Sequence, residues 1–248
     1  MTARLAISKD GDFSKNGLGW YGLPIDMDGL YASHFFGALH PNQPGWDYSL
    51  NDRPAKPGGP MTLRDDRFNG GWFTTSVVPA DMGAGFTAAL TIQPTGTQGA
   101  PIAETYMSNA PDTEGGLSMS FDASVISGAG YLGMQMRNGS DVPFATPTIP
   151  FDAATGTRPV VLFYVVQPLL VSIYEHSVGG VRAGATPIAG TGLYSDQPFV
   201  VGDNFVHTAG GAESQYAVQF FDRALSADEC ATVYQQIKAQ MATIGVTV

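Results

Sequence analysis

Apolar residues recur at every second position in several short runs of this chain. In residues 85–93, Phe86, Ala88, Leu90 and Ile92 share one face, and Thr87, Ala89, Thr91 and Gln93 share the other. Residues 116–122 set Leu117, Met119 and Phe121 against Ser118, Ser120 and Asp122, and residues 130–137 set Leu132, Met134 and Met136 against Gly133, Gln135 and Arg137. Successive side chains of a strand point to opposite faces, so a period of two predicts half-buried strands. The run Val160, Val161, Leu162, Phe163, Tyr164, Val165, Val166 is apolar at every position, as expected of a strand covered on both faces. Gln167 and Pro168 interrupt it, and the pattern resumes over residues 169–175, which predicts a hairpin. Residues 215–221 place Tyr216, Val218 and Phe220 on one face, and residues 30–39 read as an early strand. Residues 41–60, with five prolines and three glycines around Trp46 and Tyr48, read as an ordered loop.

The period changes near the C-terminus. Cys230, Val233, Tyr234, Ile237 and Met241 follow the i, i+3, i+4, i+7, i+11 spacing of a helix with one buried stripe. Ser226-Ala227-Asp228-Glu229 fits a capping box, in which the Ser hydroxyl accepts from the Glu amide and the Glu carboxylate reaches back to the Ser amide. Leu225 can staple onto Cys230, and Gly245 provides a stop. The predicted fold is therefore all-β, a two-sheet antiparallel jelly-roll sandwich with one short C-terminal amphipathic helix.

Composition agrees with many strands joined by tight turns: 31 Gly and 17 Pro stand beside 14% charged residues and 44% hydrophobic ones. The net charge of −10, with no run of Lys or Arg, excludes the basic footprint that nucleic-acid binding needs. It also disfavours anionic membranes. The single cysteine, Cys230, rules out an intrachain disulfide framework. The first ten residues are too short in apolar content for a signal peptide, and no stretch approaches a membrane span. These features predict a soluble chain made in the cytoplasm.

The segment Gln219-Phe220-Phe221-Asp222-Arg223-Ala224-Leu225-Ser226-Ala227-Asp228-Glu229, followed by Tyr234, resembles the C-terminal signature of concanavalin A-like, laminin-G-like jelly rolls. There a last strand runs through an aromatic, an Asn or Asp and Arg-Ala-Leu-Ser into a short helix. Residues 50–59, 86–92, 160–174 and 199–203 resemble further segments of that family in the same order. No His opens the 160–174 hairpin, and Glu175 to Gly180 replace its Asp-Gly turn, so no ligand residues carry over. Domains of this type also resemble bacteriophage virion proteins. The resemblance implies a jelly roll over residues 30–248, with residues 1–29 a segment packed on it or on a partner. It further implies a virion decoration, spike or tail component, homo-oligomeric, with a trimer as one such arrangement, aiding attachment to a host surface. A free lectin-like module is the alternative.

Enzyme chemistry has little to stand on. The five Glu residues (104, 114, 175, 213 and 229) lack the Glu-x-Asp-x-x-Glu spacing that would bring an acid and a nucleophile to about 5 Å on one strand face. There is no Gly-x-Ser-x-Gly, and His34, His40, His176 and His207 show no metal-binding spacing. The chain is expected to be non-enzymatic. Aromatics outside the regular alternation are the candidate ligand contacts. Trp20, Tyr21, Trp46 and Tyr48, with Asp47, can stack on a sugar and bond its hydroxyls. The other reading makes them plugs of the sandwich ends or of a subunit interface. Laminin-G-like domains often hold Ca2+, for which Asp26, Asp28, Asp65 and Asp66 are candidate ligands, or else solvated turn acids. The partners in view are other virion proteins or self, and a cell-surface glycan.

Overall fold

The all-apolar run at Val160–Gln167 lies in the middle of a sheet, between Phe86–Ile92 and Leu170–Ser177. A computed structural model gives the architecture and describes residues 25–38, 44–97, 100–101, 104–109, 118–126, 131–137, 143–150, 158–188, 193–194, 196–203 and 214–248. In the first sheet the order across is Gly180–Pro187, Leu170–Ser177, Val160–Gln167, Phe86–Ile92, Gln215–Phe221, Phe68–Asn69 and Thr62–Leu63, with Leu30–Phe35 also paired to Gln215–Phe221. The second sheet runs Pro143–Ala145, Tyr131–Arg137, Ser118–Ile126, Thr105–Ser108, Val200–Val201, Trp72–Thr74 and Lys56–Gly58. Among the described residues every pairing is antiparallel except that of Leu193–Tyr194 beside Ser118–Ile126.

The predicted hairpin is present, with Gln167 opposite Leu170 and Phe163 opposite Tyr174. Neither turn residue, Pro168 nor Leu169, takes a positive φ. The second turn, at Val178-Gly179, leads into a strand that sequence pattern did not reveal, Gly180–Pro187. It is an edge strand, and its residues remain half or fully exposed, so no hydrophobic alternation was needed there. The early strand is shorter than expected, Leu30–Phe35.

The two sheets face each other across one core. Phe86, Ala88, Leu90 and Ile92 meet Leu162, Tyr164 and Val166 of the same sheet and Leu132, Met134, Met136 and Val201 of the other. Phe86–Ile92 is buried at all seven positions, not on one face alone. Its second face lies under the C-terminal helix, where Ala89, Val161, Phe163 and Val165 pack with Leu225, Cys230, Val233, Tyr234, Ile237 and Met241. At about 25 cal/mol per Å2 of apolar surface, each fully buried aliphatic side chain contributes roughly 1.5–3 kcal/mol, so this stripe is what holds the helix down. The fold is a β-sandwich with one helix as a third layer.

The helix spans Ala227–Ala242 and begins as its sequence predicts. The Glu229 amide donates to Ser226 Oγ at 3.3 Å, and the Ser226 amide donates to Glu229 Oε2 at 2.8 Å. Thr87 Oγ1 donates to the Arg223 carbonyl and accepts from the Leu225 amide, which ties the corner to the sheet. At the far end Gly245 takes φ 80°, and the Val246 amide returns to the Met241 carbonyl. Ser226→Ala is expected to cost about 1 kcal/mol in urea unfolding. The hydrogen bond from Arg223 and the Ser226 amide hold the Glu229 carboxyl down to about 2, from 4.5. Its contribution is therefore complete above pH 4.5 and is lost as pH falls toward 2, which an acid titration of helical circular dichroism reads directly.

Cys230 is buried on this stripe, and burial pushes its thiol up to about 12, which suits a packing residue and not a nucleophile. Among the described residues, no helix is long and apolar enough to cross a membrane.

Candidate functional site

Where the two sheets reach their edges, Lys56–Gly58 ends one and Thr62–Leu63 ends the other. Lys and Pro at a sheet edge deter further strands from adding to it. Between these edges lies an open groove of about 430 Å3, lined by Pro44, Trp46, Pro54, Lys56, Met61 and Leu63 and floored by Phe73. Trp46 is 50% exposed and Leu63 41%, the two large apolar side chains that reach solvent here. Below them the Phe73 ring lies tilted at 4.7 Å from Phe36 and edge-on at 5.0 Å from Phe68, all three fully buried. The groove therefore rests on a rigid aromatic floor.

The loop that presents Trp46 is pinned by a buried carboxylate. Asp47 Oδ1 accepts from the amides of Ser33 (3.0 Å) and Ser49 (2.9 Å). Its Oδ2 accepts from the Ser49 hydroxyl (2.8 Å) and the Arg53 amide (2.9 Å). Burial lowers the pKa of His34 below the usual histidine value, so the neutral ring donates from Nδ1 to the Trp46 carbonyl at 3.0 Å. The Ala55 amide closes the loop onto the Gly45 carbonyl. Gly45 has φ 85°, and a Cβ there would lie 2.2 Å from the Ala55 carbonyl oxygen, so no other residue fits.

These contacts sort the expected ligand residues. Trp46 is on the surface and forms part of the groove. Asp47 is buried as the loop's internal anchor, with its hydrogen bonds coming from backbone amides and the Ser49 hydroxyl. Tyr48 is buried in the layer beneath the helix, edge-on to Phe35 at 5.6 Å. Trp20 and Tyr21 lie outside the described residues.

Of the expected calcium ligands, Asp28 Oδ2 is 3.7 Å from Arg223 Nε, and Asp66 pairs with Arg67 at 2.8 Å. The Asp26 amide donates to Gln236 Oε1 of the helix, and Asp26 and Asp65 are both exposed. Among the described residues, no three His, Cys, Asp or Glu side chains come together as a metal site requires.

Sequence pattern missed Lys56, Met61, Leu63 and Phe73 as groove residues. Lys56, Leu63 and Phe73 belong to strands of two or three residues, too short for alternation to register, and Met61 immediately precedes one of them.

On the other side of the loop is a polar cleft of about 510 Å3, lined by Asp28, Tyr31, Asn51, Arg53, Asp222 and Arg223. The Arg53 guanidinium lies over the Tyr31 ring, 3.6 Å from its centroid. Arg223 Nη2 bonds Glu229 at 2.7 Å, and that bond raises its pKa above the usual value.

No protein-family model matches the chain, and no curated protein matches it by sequence. Solved structures do share its fold. The receptor-binding domain of botulinum neurotoxin C/D mosaic serotype superposes with a TM-score of 0.60 at 10% identity, over 84% of this chain and 51% of that one. The botulinum neurotoxin serotype D ligand-binding domain in complex with N-acetylneuraminic acid gives 0.58 at 11% identity, over 84% and 51%. The binding domain of Paraclostridial Mosquitocidal Protein 1 gives 0.58 at 12% identity, over 86% and 52%. The chain spans about half the length of these domains. At such identities the likeness concerns the fold, a jelly-roll-like β-sandwich, and it lends no support to a bacteriophage origin.

Proposed function

We propose that this chain is a non-enzymatic glycan-binding module that seats a sugar ring against Trp46 in the edge groove. The observation that carries the proposal is the half-exposed Trp46 indole, held by a fully bonded loop over a concave surface. A pyranose presents an apolar C–H face that stacks on such a ring, and the Lys56 ammonium can donate to its hydroxyls. Among the described residues the groove lining contains no carboxylate and no histidine, so it lacks the carboxylate pair of a glycosidase. That favours binding over hydrolysis.

The same fold serves proteins solved with glycans, one in complex with N-acetylneuraminic acid and one with SialylT. This is support by analogy of fold. The virion role implied by the sequence resemblance has no comparable observation behind it.

Screening the protein on an array of neutral and sialylated oligosaccharides, followed by calorimetry on the strongest hit, tests the proposal. Trp46→Ala is expected to weaken that binding about tenfold or more, equivalent to about 1.4 kcal/mol, with an unchanged circular dichroism spectrum. Undiminished affinity in the variant would remove Trp46 from the site.

A further inference from the structure

The geometry points to a second binding site in the polar cleft behind Arg53, one that takes the vicinal hydroxyls of a neutral sugar. It rests on the glycan reading for the class of macromolecule bound, but shares no lining residue with the Trp46 groove.

The cleft combines fixed donors with open acceptors. The Arg53 guanidinium has no carboxylate partner among the described residues, and its buried Nε makes no hydrogen bond. Its backbone is fixed by the Asp47 carboxylate, and its side chain by the Tyr31 ring. Asn51 Nδ2 donates to the Leu30 and Tyr31 carbonyls at 2.9 and 3.1 Å, which turns the amide oxygen outward as an acceptor. The Asp28 side chain is 95% exposed, and Asp222 is exposed at the other wall.

The backbone here is strained. Leu50 (φ 65°) and Asp52 (φ 58°), on either side of Asn51, are the non-glycine residues with positive φ among those described. Such conformations persist where surrounding contacts over-determine them, and they concentrate at ligand sites. Here they set the direction of Asn51 and Arg53.

Charge selects the ligand. Arg53 and Arg223 face Asp28 and Asp222, and Arg223 also carries the Glu229 carboxylate, so the cleft holds no excess positive charge. An anion attracted by Arg53 would meet two carboxylates, and a cation attracted by the carboxylates would meet two guanidiniums. A neutral diol meets neither penalty, because each hydroxyl can donate to a carboxylate or to the Asn51 oxygen while accepting from a guanidinium N–H. A volume of about 510 Å3 lies within the range of small-ligand pockets.

The experiment is a titration of the 15N-labelled full chain with galactose, glucose and mannose, and separately with N-acetylneuraminic acid. Saturable amide shifts at Tyr31, Asn51 and Arg53 are expected with at least one neutral hexose. Asp222→Asn, a near-isosteric change at an exposed side chain, is expected to weaken them at least fivefold without disturbing the rest of the spectrum. Shifts confined to the Trp46 indole would overturn the cleft while leaving the groove standing. Shifts confined to the cleft would do the reverse. Tighter binding of N-acetylneuraminic acid at Tyr31, Asn51 and Arg53, or no saturable shift there with any neutral hexose, would also overturn the inference.

Discussion

Asp47→Ala is expected to lower stability by about 2–4 kcal/mol and to abolish binding at the Trp46 groove. The carboxylate is buried and accepts four hydrogen bonds, two on each oxygen. Hydrogen bonds to a charged group contribute roughly 1.5–3 kcal/mol each, and they do not add, because the freed loop can find water. The Ser33 amide is the donor with least recourse, since it sits inside the first strand next to the core. Asp47→Asn separates charge from shape. Its remaining oxygen can still serve the Ser33 and Ser49 amides, but its NH2 group would face the Arg53 amide, donor against donor. An intermediate loss is therefore expected, and urea unfolding of the three proteins checks the order. A midpoint unchanged in Asp47→Ala would show that the loop is held by something other than this carboxylate.

Phe73→Ala is the second large effect. Phe73 is fully buried against Phe36 and Phe68, and it is also the floor of the groove. Truncating a core Phe costs about 3–5 kcal/mol through lost burial and the cavity left behind. Here the cavity would open beneath the strand Lys56–Gly58, where Phe73 faces Pro57 across the sheet. Stability and glycan affinity should fall together, while Phe73→Leu should recover most of both. Denaturant midpoints and calorimetry on the same samples measure the pair. If affinity survives the alanine variant, the groove does not depend on its floor.

Much of the fold was legible in sequence because burial imposes a period. Residues 86–92, 131–137, 160–167, 170–177 and 215–221 all lie in strands, and the corner from Arg223 to Glu229 became a capped helix with its expected reciprocal hydrogen bonds. The covering of Phe86–Ile92 on both faces was not legible. Thr87, Ala89 and Thr91 are small enough to look like a solvent face, yet all three are buried, and Ala89 packs in one layer with the helix, far away in sequence. The edge strand Gly180–Pro187 was hidden for the opposite reason, having no buried face to write a pattern.

The site was legible only in part. Trp46 stood out as an aromatic among turn residues, and it is exposed. Asp47 and Tyr48 shared its tripeptide but face inward, a distinction that depends on which donors the first strand offers. Arg53, Asn51 and Tyr31 gave no sign, because long-range geometry alone brings a loop, a strand and the Arg223 corner around one cleft.

The central claim is that Trp46 touches the sugar, and tryptophan emission reads that contact directly. Titrating the strongest array ligand into the wild type is expected to shift or quench the emission saturably. In Trp46→Phe, which keeps an aromatic face and leaves Trp20 and Trp72 in place, binding should persist by calorimetry while that optical change disappears. The same emission change in Trp46→Phe, or full-affinity binding by the wild type with no change at all, would contradict the account.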